Sequence, residues 1–233
     1  MTAVPPITEN EACGVASGMI RIVCVSDTHN RQGQFEVPDG DVLIHAGDLT
    51  GRGTLPEITA ANDWFGRLPH TNRVVIAGNH DFLFEKENAL ARSLLTNASY
   101  LEDSGIEVQG LKIWGSPWQP WFYDWAFNLP RGPALAQKWR RIPEGIDVLV
   151  THGPPSGILD ETASGEHAGC EELRRRLDGM TAPPRLHVFG HIHEAHGTLR
   201  TSRTTFVNAS ICDLGYSPVN NAIVIDLASG GAQ

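Results

Sequence analysis

Cysteine is scarce: four residues in 233, with no C-x-x-C spacing and each in an unrelated context. That argues against a thiolate zinc module and a disulfide framework, leaving reduced, mostly buried thiols as the expectation. Long apolar runs are missing as well. The longest stretches without Asp, Glu, Lys or Arg are twelve residues, at 148–159 and 214–225, short of the ~18–20 apolar residues of a membrane-spanning helix. The first twenty residues hold no Lys or Arg and no apolar segment of secretory-signal length, so a cytoplasmic protein without a membrane partner is expected. Positive charge is in deficit too, with 18 Lys and Arg against 27 Asp and Glu and a net charge of −9. Such a chain does not attract a polyanion unless bound cations or a local basic patch reverse the field, which argues against long nucleic acid as a partner.

What remains is enough to build a core, since 41% of residues are hydrophobic. Neither an internal repeat nor a Gly, Ser or Pro-rich linker divides the chain, so one domain is expected over residues 19–233 behind a loose arm at 1–18. Short β-branched runs at 20–26, 42–46, 73–77, 107–114, 146–151, 186–189, 204–208 and 222–227 read as strands. Helical spacing at 55–67, 86–96, 133–141 and 168–178 alternates with them, which argues for an α/β fold.

Five of the apolar runs feed directly into short turns rich in metal-type donors: Asp27-Thr28-His29, Gly47-Asp48, Gly78-Asn79-His80-Asp81, His152-Gly153 and Gly190-His191-Ile192-His193. In open α/β sheets, ligands bind beyond the carboxyl ends of the strands, so the five turns converge if the strands are parallel neighbours. The i, i+2 pairs Asp27 with His29 and His191 with His193 point to one side of an extended chain, ~6–7 Å apart, which suits two coordination positions. Glycines before Asp48, Asn79 and His191 allow sharp turns and close backbone approach. The donors are oxygen and nitrogen only: Asp27, Asp48, Asn79, His29, His152, His191 and His193. That chemistry suits Mn²⁺, Fe, Co²⁺, Ni²⁺ or Zn²⁺, and seven ligands suit two ions sharing a carboxylate, with Asp48 the natural bridge.

The ordered set D-x-H, G-D, G-N-H-D, lone H and G-H-x-H resembles the calcineurin-like metallophosphoesterases. I-A-G-N-H at 76–80, T-H-G-P-P at 151–155, L-H-V-F-G at 186–190 and V-N-A-S at 207–210 resemble the small metallophosphoesterase-domain-containing subfamily. The resemblance implies an α/β/β/α sandwich of two mixed sheets flanked by helices. It implies one ion, Mn²⁺ foremost, on Asp27, His29, Asp48 and His193, and a second on Asp48, Asn79, His152 and His191. Some animal members carry Gly where this chain has His191. The implied activity is hydrolysis of small phosphodiesters, cyclic nucleotides or related nucleotide diesters, by a metal-bridging hydroxide with His80 as general acid. A monoesterase with the same centre, or a metal-dependent binding protein, is the alternative. Leu49-Thr50-Gly51-Arg52 stands where many relatives carry an acidic residue, so Asp81 or a neighbour of Asp48 is the candidate partner of His80.

Outside the motifs, Arg52 is a candidate phosphate contact, His196 a candidate pocket residue, and Asn208 in V-N-A-S a candidate substrate contact. His45 and His187 read as core histidines. Residues 114–127 concentrate Trp114, Trp118, Trp121, Phe122, Tyr123, Trp125 and Phe127 around Pro117 and Pro120. This reads as an ordered loop that packs on the fold, stacks a base through Trp118 or Trp121, or joins two copies of the chain.

Overall fold

The computed structural model describes residues 18–229; the arm expected at 1–18 therefore lies, except for Gly18, outside the described residues. Among the described residues, eleven of thirteen short strands form two mixed sheets, with five α-helices outside. The first sheet runs β13 (Ile223–Ala228), β1 (Met19–Val25), β2 (Val42–His45), β3 (Asn72–Val75) and β4 (Ser99–Tyr100). The second runs β11 (Gly197–Arg200), β12 (Thr205–Asn208), β10 (Leu186–Phe189), β9 (Val148–Thr151), β6 (Leu111–Ser116) and β5 (Ser104–Val108). A separate pair, β7 (Gln119–Pro120) and β8 (Asn128–Leu129), holds the aromatic loop. β1 to β4 are mutually parallel, as are β6, β9, β10 and β12; the antiparallel strands β13, β11 and β5 sit at the edges.

The period-2 alternation of the strands divides the core into layers. Ile22, Cys24, Ile44 and Val74 meet Ile113, Val148, Val150 and Val188 between the sheets. The opposite face of the first sheet, with Val23, Leu43 and Val75, packs on α1 (Leu55–Arg67), α2 (Phe82–Lys86) and α3 (Asn88–Leu94) through Trp64, Phe65, Phe84 and Ala91. Leu149, Phe189 and Phe206 on the second sheet pack on α4 (Pro133–Trp139) and α5 (Glu171–Asp178) through Leu135, Trp139, Leu173 and Leu177. Because strands buried on both faces must be apolar throughout, they appear in the sequence as unbroken runs.

Several expected boundaries are corrected. The run 107–114 is a hairpin rather than one strand: Gln109 and Gly110 both take positive φ, 51° and 79°, the geometry of a two-residue type I′ turn between β5 and β6. The helix expected at 86–96 is the shorter α3, and a separate helix, α2, ends just before it at Lys86; Glu87 at φ −135° divides the two. The helix expected from 168 starts at Glu171, with the Cys170 sulfur accepting from the Leu173 N–H at its N-terminus. Among the described residues, Cys24, Cys170 and Cys212 are buried and form no disulfide with one another. Among the described residues no helix is long and apolar enough to cross a membrane.

Candidate metal centre

The parallel strands β1, β2, β3, β9 and β10 end at one edge of the sandwich, and their five turns meet there. Main-chain bonding continues past the strand ends: the Asp27 N–H donates to Gly47 O (2.9 Å), His29 N–H to Asp48 O (3.1 Å) and Gly190 N–H to His152 O (2.9 Å). Four of the seven sequence-predicted donor residues sit in the left-handed region, Asp27 at φ 54°, His29 at 41°, Asp48 at 55° and His191 at 68°. Non-glycine residues avoid that region unless surrounding structure holds them, and such strain concentrates at functional sites.

The glycines explain the remaining close approaches. Only Gly47 uses a positive φ, 102°; Gly78 and Gly190 are needed for space. A Cβ on Gly78 would stand 2.6 Å from His152 Cε1, and one on Gly190 would stand 2.7 Å from Ser26 Cβ and overlap the Asp27 carboxylate.

Asp27, His29 and His193 offer donor atoms within 4.8 Å of one another, as do Asp27, Asp48 and His152, and His29, Asp48 and His80. Asp48 is central, its Oδ2 lying 3.7 Å from His29 Nε2 and 3.5 Å from His152 Nε2. On the far side, Asn79 Oδ1 is 2.9 Å from His152 Nε2, and the His191 ring centroid is 5.1 Å from that of His152.

The tautomers test whether cations fit. His152 Nδ1–H donates to Ala46 O (3.0 Å) and His193 Nδ1–H to Asp213 O (2.9 Å), so each ring turns its Nε2 lone pair toward a carboxylate. His193 Nε2 lies 3.4 Å from Asp27 Oδ1. A lone pair facing a carboxylate requires a cation or a proton between them. Burial alone would lower the pKa of both rings, yet Asp48 beside His152 and Asp27 beside His193 raise each from 6.5 to about 9. The carboxyls of Asp27 and Asp48 are held below 3.8 by these histidines against the opposing effect of burial. Burial keeps His29 and His191 neutral, at about 4 and about 3, as metal ligation requires. His29 Nδ1 is buried without a partner among the described residues. These residues fit a two-ion centre, whose metal identity the donor set leaves open.

His80 stands beside the cluster. Its N–H donates to Asp48 Oδ1 (2.8 Å), its ring Nδ1–H to Gly51 O (2.9 Å), and its Nε2 is 3.9 Å from Asp48 Oδ2. The orienting partner is thus a backbone carbonyl, which corrects the expectation of Asp81. Asp81 is buried and accepts from the Leu49 N–H, Thr50 N–H, Thr50 hydroxyl and Gly78 N–H, tying the Asp48 turn to the Asn79 turn. Glu57 steadies the Gly51 segment, accepting from the N–H groups of Gly51, Arg52 and Thr54.

The other expected contacts divide. A cleft of about 220 Å³ over the centre is lined by Asp48, Asn79, His80, His191 and His193 together with Phe122, Leu214 and Tyr216. Trp121, 61% exposed, borders an adjoining groove with Phe122 and His191. Trp118 is not brought to the centre. Its Nε1–H donates to Asp103, Lys138 lies 3.7 Å over its ring, and it meets Phe127 edge to face. Asn208 is fully buried, donating to Leu159 O and Ile192 O and accepting from the Ser210 N–H, so it shapes the His191–His193 turn. His196 lines grooves beside Glu194, outside the cleft. Arg52 lies with its guanidinium 5.0 Å from the Trp125 ring.

Sequence reasoning missed three groups. Tyr216, at φ 58°, meets His29 edge to face at 4.7 Å, and no motif marks it. Phe122 and Trp125 were hidden among seven aromatics. His45 and His187 are buried as expected, but each also supports a donor turn. The Gly47 N–H donates to His45 Nδ1, so His45 Nε2–H donates to Thr28 (2.9 Å). Thr151 donates to Gly153 O, so His187 Nε2–H donates to Thr151 (2.8 Å).

Two helix-flanked sheets with a buried Asp and His cluster at their common edge define a metal-dependent phosphoesterase. The chain belongs to the calcineurin-like phosphoesterase family, whose model matches residues 20–195. It is 49% identical over 234 residues to Metallophosphoesterase domain-containing protein 1 of Homo sapiens, across 90% of this chain and 72% of that one. UPF0046 protein C25E10.12 of Caenorhabditis elegans is 38% identical over 95% of this chain and 83% of its own length. Among solved structures, the sulfate thiohydrolase SoxB of Thermus thermophilus aligns at a TM-score of 0.45 and 15% identity, covering 72% of this chain and 33% of that one.

Proposed function

We propose that the protein is a dinuclear metal-dependent phosphodiesterase acting on small phosphodiesters, among them cyclic nucleotides or related nucleotide diesters, with Mn²⁺ as its working ion. The reading rests on one observation above the rest: His80, anchored through Nδ1 to Gly51 O, keeps its Nε2 at the edge of the donor cluster, 3.9 Å from Asp48 Oδ2 and with no hydrogen-bond partner among the described residues. Asp27, His29, Asp48 and His193 would hold one ion and Asp48, Asn79, His152 and His191 the other. Two such ions would supply Lewis acidity toward the phosphoryl group and would lower the pKa of water there toward ~7. The protein's share is to supply those donors and to deliver a proton from His80 Nε2 to the departing alkoxide. Phe122, Leu214 and Tyr216 frame the cleft and give a base or other flat substituent its surfaces, a role we assign to them in place of Trp118.

The test is a substrate panel on the metal-reconstituted protein: aryl monoesters, aryl diesters, alkyl diesters and 2′,3′- and 3′,5′-cyclic nucleotides, each with wild type and His80→Ala. Diesters should be hydrolysed in preference to monoesters. His80→Ala should keep its metal yet lose ~10²–10⁴ in rate on alkoxide leaving groups, and far less on nitrophenolate, which leaves without a proton. A preference for monoesters, or an equal loss on both leaving groups, would overturn the assignment.

A further inference from the structure

The aromatic run at 114–127 has one member set against the proposed acid. The Trp125 indole lies over the His80 imidazole, with centroids 4.0 Å apart and planes 32° apart. The same indole is flanked by Phe82 at 5.7 Å and by the Arg52 guanidinium at 5.0 Å. The two loops are joined beside this contact: the Ala126 N–H donates to Asn79 O (3.0 Å), and the Phe127 N–H donates to Glu85 (2.9 Å) just beyond the His80 turn. Residues before and after His80 are therefore tied by hydrogen bonds to the two residues that follow Trp125.

The single bond at Nδ1 does not by itself hold the His80 ring, which can swing about its side-chain torsions and break that bond as it does. A flat partner across its face blocks the swing. His29, edge to face at 4.5 Å, and Tyr216 at 5.8 Å border the ring elsewhere.

We propose that Trp125 is a positioning residue for His80, its indole face holding the imidazole in the plane that aims Nε2 at the leaving-group oxygen. This rests on the reading of His80 as the general acid. Arg52 contributes by stacking on Trp125 rather than by binding phosphate. Since displacement of a reacting group by ~1 Å can cost ~10²-fold in rate, the effect is measurable.

The experiment compares Trp125→Ala, Trp125→Leu and Trp125→Phe in the full chain. On an alkyl phosphodiester, Ala and Leu should lose roughly 10- to 100-fold in kcat, while bis(4-nitrophenyl) phosphate is hydrolysed at near the wild-type rate. Phe, which keeps a flat face, should recover most of the loss. An equal loss on both substrates, or full activity of Trp125→Leu on the alkyl diester, would overturn the proposal. A second readout is independent of turnover. In Zn²⁺-loaded ¹⁵N-labelled protein, the His80 Nδ1–H resonance, assigned by its disappearance in His80→Ala, should be protected in wild type and Trp125→Phe and exchange-broadened in Trp125→Leu. Persistence of the protected signal in Trp125→Leu refutes positioning. If wild type hydrolyses no diester, the functional reading fails and this second measurement still decides whether Trp125 orders the ring.

Discussion

Gly190 precedes His191 and lies against Asp27, so one added methyl group tests how the centre is assembled. In Gly190→Ala the new Cβ would sit 2.7 Å from Ser26 Cβ and overlap the Asp27 carboxylate, well inside the ~3.5–4.0 Å of normal carbon contact. The backbone φ there is not in the left-handed region, so the perturbation is steric. Asp27 Oδ2 accepts from the Ser210 hydroxyl (2.8 Å) and the His191 N–H (3.0 Å), and moving the carboxylate away disturbs both bonds. Overpacking costs about 1–3 kcal/mol, and a hydrogen bond to a charged group is worth about 1.5–3 kcal/mol. Overpacking and the loss of one such bond together predict about 2.5–6 kcal/mol, or a fall in Tm of roughly 5–24 °C for a chain of this size. The variant should also bind fewer metal ions, because Asp27 is displaced. Gly153→Ala is the matched control: Gly153 also adjoins a donor, His152, but its Cβ would meet only Gln119 Cβ at 3.7 Å, an ordinary contact. Calorimetry and elemental analysis of both variants make the comparison. Gly190→Ala with wild-type metal content and a Tm close to that of Gly153→Ala would refute the reasoning.

The metal-free protein should lose stability as the pH rises from 6.5 through 9. His152 and His193 have folded values of about 9 against an ordinary 6.5, so their contribution is complete below 6.5 and is lost as they deprotonate. Zn²⁺-loaded protein should show no such fall, since the ions replace the protons; a metal-free Tm that stays level from pH 6.5 to 9 would contradict this. Asp81→Asn should lower Tm at pH 7.5 by roughly 2–12 °C, from about 1–3 kcal/mol for turning an amide N–H₂ toward backbone donors, and weaken metal affinity. Burial and the neighbouring Asp48 raise Asp81 from 3.8 to about 6, so folded wild type takes up a proton there as the pH falls and gains stability that the amide variant does not, and the difference in Tm should widen by pH 5. A constant difference would show that the charge of Asp81 is immaterial.

The donor turns were legible in the sequence because each follows an apolar run buried on both faces, and a chain leaving such a strand delivers its next residues to the sheet edge. The order of Asp27, His29, Asp48, Asn79, His152, His191 and His193, with small residues at the turns, carries the family and the α/β/β/α fold. Local pattern also placed α1, whose Thr54 N–H donates to Glu57 in the first turn. Tertiary structure decided what depends on partners far away in the chain. Asp81 looked like the partner of His80 because it is adjacent, but a backbone carbonyl 29 residues earlier takes that place. Trp118 and Trp125 are equivalent in composition, yet Asp103 and Lys138 hold one in the fold while His80 receives the other. Asn208 turns its amide N–H₂ to the carbonyls of Leu159 and Ile192, 49 and 16 residues earlier in the chain. A sequence specifies which donors exist and where strands release them; which side chain meets which depends on how the loops pack, and no local pattern encodes that.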